Sequence, residues 1–374
     1  MSLINNIYYN IVPFILVLSI LVFIHELGHY LAARWNKVKV DVFSIGFGAE
    51  LFGWTDRLGT RWKLSLVPLG GYVKMASDLN AASQPDTKMI EAMTDEEKEG
   101  SLHHKTVWQR IAISAAGPAA NYLFAILVFG LLYIFSGQKI PSDQAKIGQV
   151  MLGSVAFHSG FQGGDLVIAA NHQPVQTFVD MQKVIQANVG KEVTFNIQRN
   201  NENLILKAIP EAVGDGGNKV GRIGVVPSFD QVKRSPLTAF YYAITEIYHI
   251  SATTVSSIGN MIIGQQSTDG LSGPLGIAKI TGQIAQRGFV DLIWLSALLS
   301  INLGLINLFP IPMLDGGHLL FYFIEAIRGR PVPEKIQEWG YRIGFAIVIA
   351  LMVVSTWNDL QNLKVFEFFK KFFN

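Results

Sequence analysis

Residues Phe23–Arg34 read "FIHELGHYLAAR" and close an apolar run, "IVPFILVLSILVFI" from Ile11 to Ile24, that carries no charge. A stretch of about 20 mostly apolar residues is long enough to cross a bilayer. Ile11–Ala33 is therefore predicted as a membrane helix that ends in two histidines and a glutamate. No charged leader precedes the run and no small-residue cleavage site follows it, so it reads as a retained helix and not a signal peptide. On a helix, His25 and His29 lie on one face, one turn apart, and two neutral imidazoles so placed can share a metal ion. Glu26 between them is suited to take a proton from water that the metal acidifies. An ionisable group at mid-bilayer costs about 3 kcal/mol or more and marks a functional site by default. The bland alternative is a set of interfacial residues that pair with headgroups or one another.

Composition agrees with a membrane chain. Of 374 residues, 50% are hydrophobic and 16% charged, against about a quarter charged in soluble domains. The formal net charge of +2, with no basic run, gives no footing for a nucleic-acid partner. Cysteine is absent, which excludes disulfides, thiolate metal sites and a thiol nucleophile. A metal must be held by His, Asp, Glu or Asn.

Three further segments are predicted to span: Ile111–Phe135, Leu292–Phe309 and Tyr341–Trp357, the last with an interfacial tryptophan. The loop after the first span is dense in Lys and Arg, among them Arg34, Lys37, Lys39, Arg57, Arg61, Lys63 and Lys74, while the residues before Ile11 carry none. The positive-inside rule then puts the N-terminus outside and this loop in the cytoplasm. Parity sends the segment from about Ser136 to Val290 outside. A long, mildly amphipathic helix is predicted over Ser235–Gly264, lying on the membrane surface or packed on the bundle; Glu246 and His249 at its centre argue against a fifth span.

Within the outside segment, "GSVAFHSGFQGGDLVIAANHQPV" is followed by a helix near Thr177–Asn188 and by two strands joined across Asn200-Asn201. This pattern resembles a bacterial PDZ domain over residues 137–213. The resemblance implies a groove between the strand Ile147–Leu152 and the helix, with Ile147, Val150, Met181 and Val184 as groove residues. It would take a clipped C-terminus by strand addition, or act as a filter against bulky ectodomains.

A catalytic zinc needs a third protein ligand and an open position. Glu50 follows His29 at a spacing that soluble zinc proteases use. Asp315, in "NLFPIPMLDGGH" (Asn307–His318), follows the third span and by parity shares a membrane side with His25 and His29. Pro310 and Pro312 break the helix there, and irregular backbone at membrane depth is tolerated only in protein or beside a wet cavity. Asp315 is the expected third ligand.

Together, "HELGH" and "NLFPIPMLDGGH" resemble the site-2 protease family of intramembrane zinc metalloproteases. "VPLGGYVKM" (Val67–Met75), "AAGPAANYLFAI" (Ala115–Ile126) and "SGPLGIAKI" (Ser272–Ile280) resemble its regulator-of-sigma-E branch, in a form with a single PDZ domain. The resemblance implies one Zn2+ on His25, His29 and Asp315, Glu26 as general base toward zinc-bound water, and Asn307 as a substrate-positioning residue. It further implies a bacterial inner-membrane location, single-span membrane proteins as substrates (an anti-sigma factor after a first external cut, in a stress response), and the lipid bilayer as surroundings.

The expected fold is a polytopic α-helical membrane protein of about four spans, with a membrane-associated β-hairpin and an inserted periplasmic α+β PDZ domain. Residues 1–136 form the N-terminal membrane part, with the hairpin at about 40–76. The PDZ domain takes 137–213, a linker with the amphipathic helix 214–290, and the C-terminal membrane part 291–374. "VFSIGFGAELFGW" and "RWKLSLVPLGGYVKM" alternate apolar and small residues, so the hairpin is expected to dip into the membrane and offer an edge, near Tyr72 and Val73, to an extended substrate. A plain cytoplasmic hairpin is the bland reading. A non-catalytic PDZ adaptor is the rival function, opposed by the intact Glu26; a zinc transporter would want ionisable residues along several spans.

Overall fold

The structure, a computed structural model, describes residues 3–76, 93–213 and 220–362. The chain divides into two compact units. One comprises Met1–Gly130, Phe240–Ile262 and Thr268–Asn374, the other Leu131–Ala239 with Ile263–Ser267.

The first unit is helical with one hairpin. It opens with α1 (Leu3–Trp35), then β1 (Val40–Thr55) and β2 (Arg61–Met75), the short α2 (Asp95–Gly100), and α3 (Val107–Phe135). Among the described residues, four helices are long and apolar enough to cross a membrane: Tyr8–Trp35, Val107–Phe135, Phe289–Leu308 and Glu334–Asn362. These are the four segments expected, each helix running past its uncharged stretch on at least one side because backbone hydrogen bonding does not stop where hydropathy does.

β1 and β2 form a long antiparallel pair closed by a turn at Asp56–Thr60. Asp56 Oδ1 accepts the N–H groups of Leu58 (2.8 Å) and Thr60 (3.0 Å), and its Oδ2 accepts Trp62 Nε1–H at 2.9 Å. Side-chain acceptors of this kind fix tight turns. Near its base the hairpin packs on α1: Tyr30, Ala33, Val38, Val40, Phe43, Val73, Met75, Leu102 and Ile113 share one buried cluster. Its far half leaves Leu51, Phe52, Trp54 and Leu66 exposed, an apolar surface of the sort that seeks lipid or protein.

The second unit holds β3 (Gln138–Pro141), β4 (Ile147–Val150), α4 (Val155–His158), β5 (Leu166–Ala170), β6 (Gln173–Pro174), α5 (Phe178–Ala187), β7 (Val193–Arg199), β8 (Glu202–Ala208), β9 (Glu211–Val213), β10 (Val220–Arg222), β11 (Val225–Pro227) and β12 (Phe229–Val232). Its main sheet has the order β6-β5-β7-β8. α5 starts at a reciprocal cap, where Thr177 and Asp180 each accept the other's backbone N–H, the arrangement that satisfies orphan donors at a helix start. Asn200 and Asn201 take φ of 49° and 69°, as a two-residue hairpin turn requires.

Two features of this unit depart from expectation. β12 pairs with β3 and β11 with β4, so strand pairing runs on to Val232, beyond residue 213; residues 214–219, where the expected linker begins, lie outside the described ones. Ile147 and Met181 are fully buried in the unit's core, and only Val150 and Val184 of the four expected groove residues keep partial exposure. The pleat explains this: Ile147 points inward, and its backbone is held by Asp165 and Gly164 on one edge and by β11 on the other.

The chain returns to the first unit through α6 (Pro236–Ile262), then α7 (Pro274–Ala285), α8 (Phe289–Leu308), α9 (Asp315–Arg328) and α10 (Glu334–Asn362). α6 packs on the bundle: Ser251 Oγ lies 3.3 Å from the Tyr122 hydroxyl, and Thr254 Oγ1 lies 3.5 Å from Asn302 Oδ1. α7 begins after Gly273, which has no side chain to cap it. Asp359 of α10 supplies the acceptors, taking the N–H groups of Gly273 and Gly276 at 2.9 Å each; a carboxylate there also suits the helix dipole.

Candidate metal centre

His25 and His29 sit on the last third of α1, and both are buried. Asp315 is the first residue of α9. The helix cap before it is Leu314, which accepts no side-chain hydrogen bond, although that position favours Ser, Asn or Asp. The acidic residue is thus one place late for capping, and its carboxylate reaches the histidines instead. The turn that delivers it is strained: Met313 has φ of 91°, outside the range that non-glycine residues ordinarily use.

His25 Nε2 lies 3.3 Å from His29 Nε2 and 3.1 Å from Asp315 Oδ2, and His29 Nε2 lies 3.3 Å from Asp315 Oδ1. Zinc held tetrahedrally by nitrogen and oxygen separates its ligand atoms by about 3.3 Å, as bond lengths of about 2.0–2.1 Å require. The triangle has that edge. Asp315 Oδ2 is buried without a well-directed hydrogen bond although His25 Nε2 is close, which fits lone pairs aimed at a shared centre. Two imidazoles and a carboxylate are a donor set for zinc with a coordination position left open.

Second contacts orient the rings. His29 Nδ1 lies 2.9 Å from the carbonyl of Ile113, and His25 Nδ1 lies 3.1 Å from Nδ2 of Asn121. Both partners are on α3, whose interior Pro118 lacks an N–H and crowds the carbonyl one turn back, loosening the local ladder.

Glu26 faces the same cavity of about 600 Å³, which is also lined by Tyr72, Val73, Asn307 and His318. Its carboxylate accepts the backbone N–H of Val73. β2 can come so near because a side chain at Gly71 would strike Val22, Glu26 and the Ser44 carbonyl. Asn307 Nδ2 lies 3.4 Å from His25 Nε2. Tyr72 stacks on Phe47 with ring centres 6.0 Å apart, whereas the Val73 side chain is buried against α1 and its N–H serves Glu26.

Glu50 is elsewhere. It lies on β1 and forms an ion pair with Arg61, outside the His25–His29–Asp315 group. His318 rests between the rings of Tyr322 and Tyr341. α9 is tied to α3 by a part-buried pair: Arg110 Nη1 donates to Glu325 Oε2 at 3.0 Å, and its guanidinium lies over the Tyr322 ring. Sequence reading missed Asn121, the Ile113 carbonyl and this pair. A lone asparagine inside an uncharged span was the available signal.

The sequence pattern of Peptidase family M50 matches residues 13–351. A protein of Agrobacterium fabrum named as a zinc metalloprotease is 43% identical over 363 residues, covering 94% of this chain and 96% of its own. The zinc metalloprotease RasP of Bacillus licheniformis is 33% identical over 421 residues, covering 95% of this chain and 99% of its own. Among solved structures, the PDZ domain of an SdrC-like protein from Listeria monocytogenes aligns with 24% of this chain and 93% of its own, at 19% identity and a TM-score of 0.21. A pattern match over most of the chain, with relatives matched almost end to end, settles the family: the chain belongs to peptidase family M50, the site-2 proteases, and is a zinc metalloprotease with helices long and apolar enough to cross a membrane.

Proposed function

We propose that this protein cleaves single-span membrane proteins within their apolar segments, with His25, His29 and Asp315 as the zinc ligands. The observation that carries the reading is the donor triangle with Glu26 in the same cavity, built on a helix apolar enough to span. When bound, zinc supplies a Lewis acid that acidifies water and polarises the scissile carbonyl.

The chain's own groups do the rest. Glu26 accepts the proton of the attacking water on its carboxylate and passes it to the leaving amide nitrogen. Val73 N–H holds that carboxylate in place. The Asn307 amide, beside His25, donates toward the substrate carbonyl and orients it. Tyr72, on the strand beside Glu26, guides an extended substrate along β2. The apolar outer half of the hairpin sits in lipid.

The charge asymmetry of the loops supports a cytoplasmic loop after α1 and an outer-side second unit. That unit screens substrates whose outer domain has been clipped. The groove between β4 and α5 is the candidate for strand addition, with Val150 and Val184 as the half-buried members of the expected groove residues.

The test maps the cut. Purified protein in detergent is given a tagged single-span substrate with a shortened outer domain, and the fragments are weighed by mass spectrometry. A cut inside the apolar segment supports the proposal; cuts only in the flanking polar segments contradict it.

A further inference from the structure

One buried polar side chain beside the cluster has no task in the steps above. Asn121 of α3 is fully buried. Its Nδ2 lies 3.1 Å from His25 Nδ1, while its Oδ1 meets no hydrogen-bond partner. Its backbone carbonyl accepts Ser300 Oγ–H at 3.0 Å, which ties this turn of α3 to α8.

A neutral imidazole carries one N–H. With Nδ2, a donor, facing Nδ1, the ring proton must sit on Nε2. Yet Nε2 is the atom that faces His29 and Asp315, and a ligand nitrogen bears no proton. Zinc on Nε2 therefore moves the ring proton to Nδ1, and two N–H groups would then oppose each other. A half-turn of the Asn121 amide exchanges its two ends and brings Oδ1 to Nδ1–H, at no change in shape.

We propose that Asn121 is a positioning residue for the metal, accepting the Nδ1–H of His25 through Oδ1 and so holding the ring in its ligating tautomer. This rests on His25 being a zinc ligand. The pattern on the other ligand supports it, since His29 Nδ1 faces a carbonyl oxygen, that of Ile113, at 2.9 Å. Ile113, Gly117 and Asn121 recur every four residues, so one face of α3 serves both imidazoles. At the middle position a side chain would strike His29 itself. Partners of this kind orient ligating histidines and raise their basicity.

The experiment measures zinc affinity of the full chain in detergent by competition with a chromophoric chelator, and records the cobalt absorption spectrum of each variant. Asn121→Leu and Asn121→Ala remove the acceptor; Asn121→Asp presents oxygen whichever way it turns and removes the donor. Expected are about 10- to 100-fold weaker zinc binding in Leu and Ala, with near wild-type affinity and a tetrahedral cobalt spectrum in Asp. If Asn121→Leu is not recovered folded, Ala and Asp decide.

Wild-type affinity in the Ala variant overturns the proposal. So does an Asp variant as weak as Ala, because the donor would then be the group that matters. His25→Ala separates this from failure of the underlying reading. A wild type without zinc, or a His25→Ala protein that binds as tightly, removes both; zinc lost in His25→Ala but kept in Asn121→Ala removes the positioning role alone.

Discussion

Gly117 lies so close to His29 that a methyl group in its place would fall on the ring nitrogen Nε2. Alanine is the better helix former, by up to about 1 kcal/mol, so Gly117→Ala has no secondary-structure reason to fail. The expected outcome is a folded protein that binds zinc about 10- to 100-fold more weakly, as for other disturbed ligand surroundings. Metal content after dialysis against a weak chelator reads this out. Full retention would show that the ring yields without cost.

The choice between two third ligands separates cleanly. Asp315→Ala is expected to lose zinc, and Glu50→Gln to keep it. Glu50 is paired with Arg61 on a partly exposed strand, and such pairs contribute about 0–1 kcal/mol. Zinc analysis of the two variants side by side decides; loss in Glu50→Gln would reinstate the spacing common to soluble zinc proteases.

Arg110 and Glu325 hold α9, and with it Asp315, against α3. Their side chains are 12% and 14% exposed. Removing one partner of a fully buried pair costs about 3–5 kcal/mol and of this part-buried one less, whereas replacing both with apolar groups is often near neutral. Glu325→Ala is therefore expected to lower the thermal midpoint and quicken zinc loss, and Arg110→Leu added to it to recover most of the stability. A double variant no better than the single one would show that the pair does not act as a unit.

The cap of α5 makes an acid-sensitive element outside the spans. Hydrogen bonds from the Thr177 hydroxyl and then its backbone N–H hold the Asp180 carboxyl below the usual carboxylate range. A lowered folded value means that the stabilisation is present above the ordinary pKa and is lost as pH falls through the lowered one. Protection of the α5 amides, relative to an unfolded chain at the same pH, is thus expected to fall below about pH 4 in the wild type. Asp180→Asn should exchange faster at neutral pH and show less of that acid response.

The four helices that are apolar enough to span, among the described residues, were legible because an uncharged run of bilayer length admits few other readings, and His25, Glu26 and His29 because their spacing fixes one helical face. Asp315 was legible only through the pairing of two distant motifs, since local rules would make Asp315 itself the helix cap, whereas the structure places Leu314 there. Val73 shows what alternation leaves open: it tells which side chains share a face but not which backbone N–H is engaged, and Glu26 engages this one. Ile147 on β4 and Met181 on α5 show the same limit, since groove and core residues of a small domain have the same apolar pattern. Asn121 lay in a quoted motif, yet its task depends on where a ring proton sits, which no spacing reveals.

The most direct test of the central claim compares wild type and Glu26→Gln in detergent, measuring bound zinc and cleavage of the shortened single-span substrate in the same samples. The expected result is one zinc in each protein and cleavage by the wild type alone, since Gln keeps the shape of Glu26 but cannot accept the proton. Cleavage by Glu26→Gln at the wild-type rate would contradict the claim, as would a wild type that cuts without zinc.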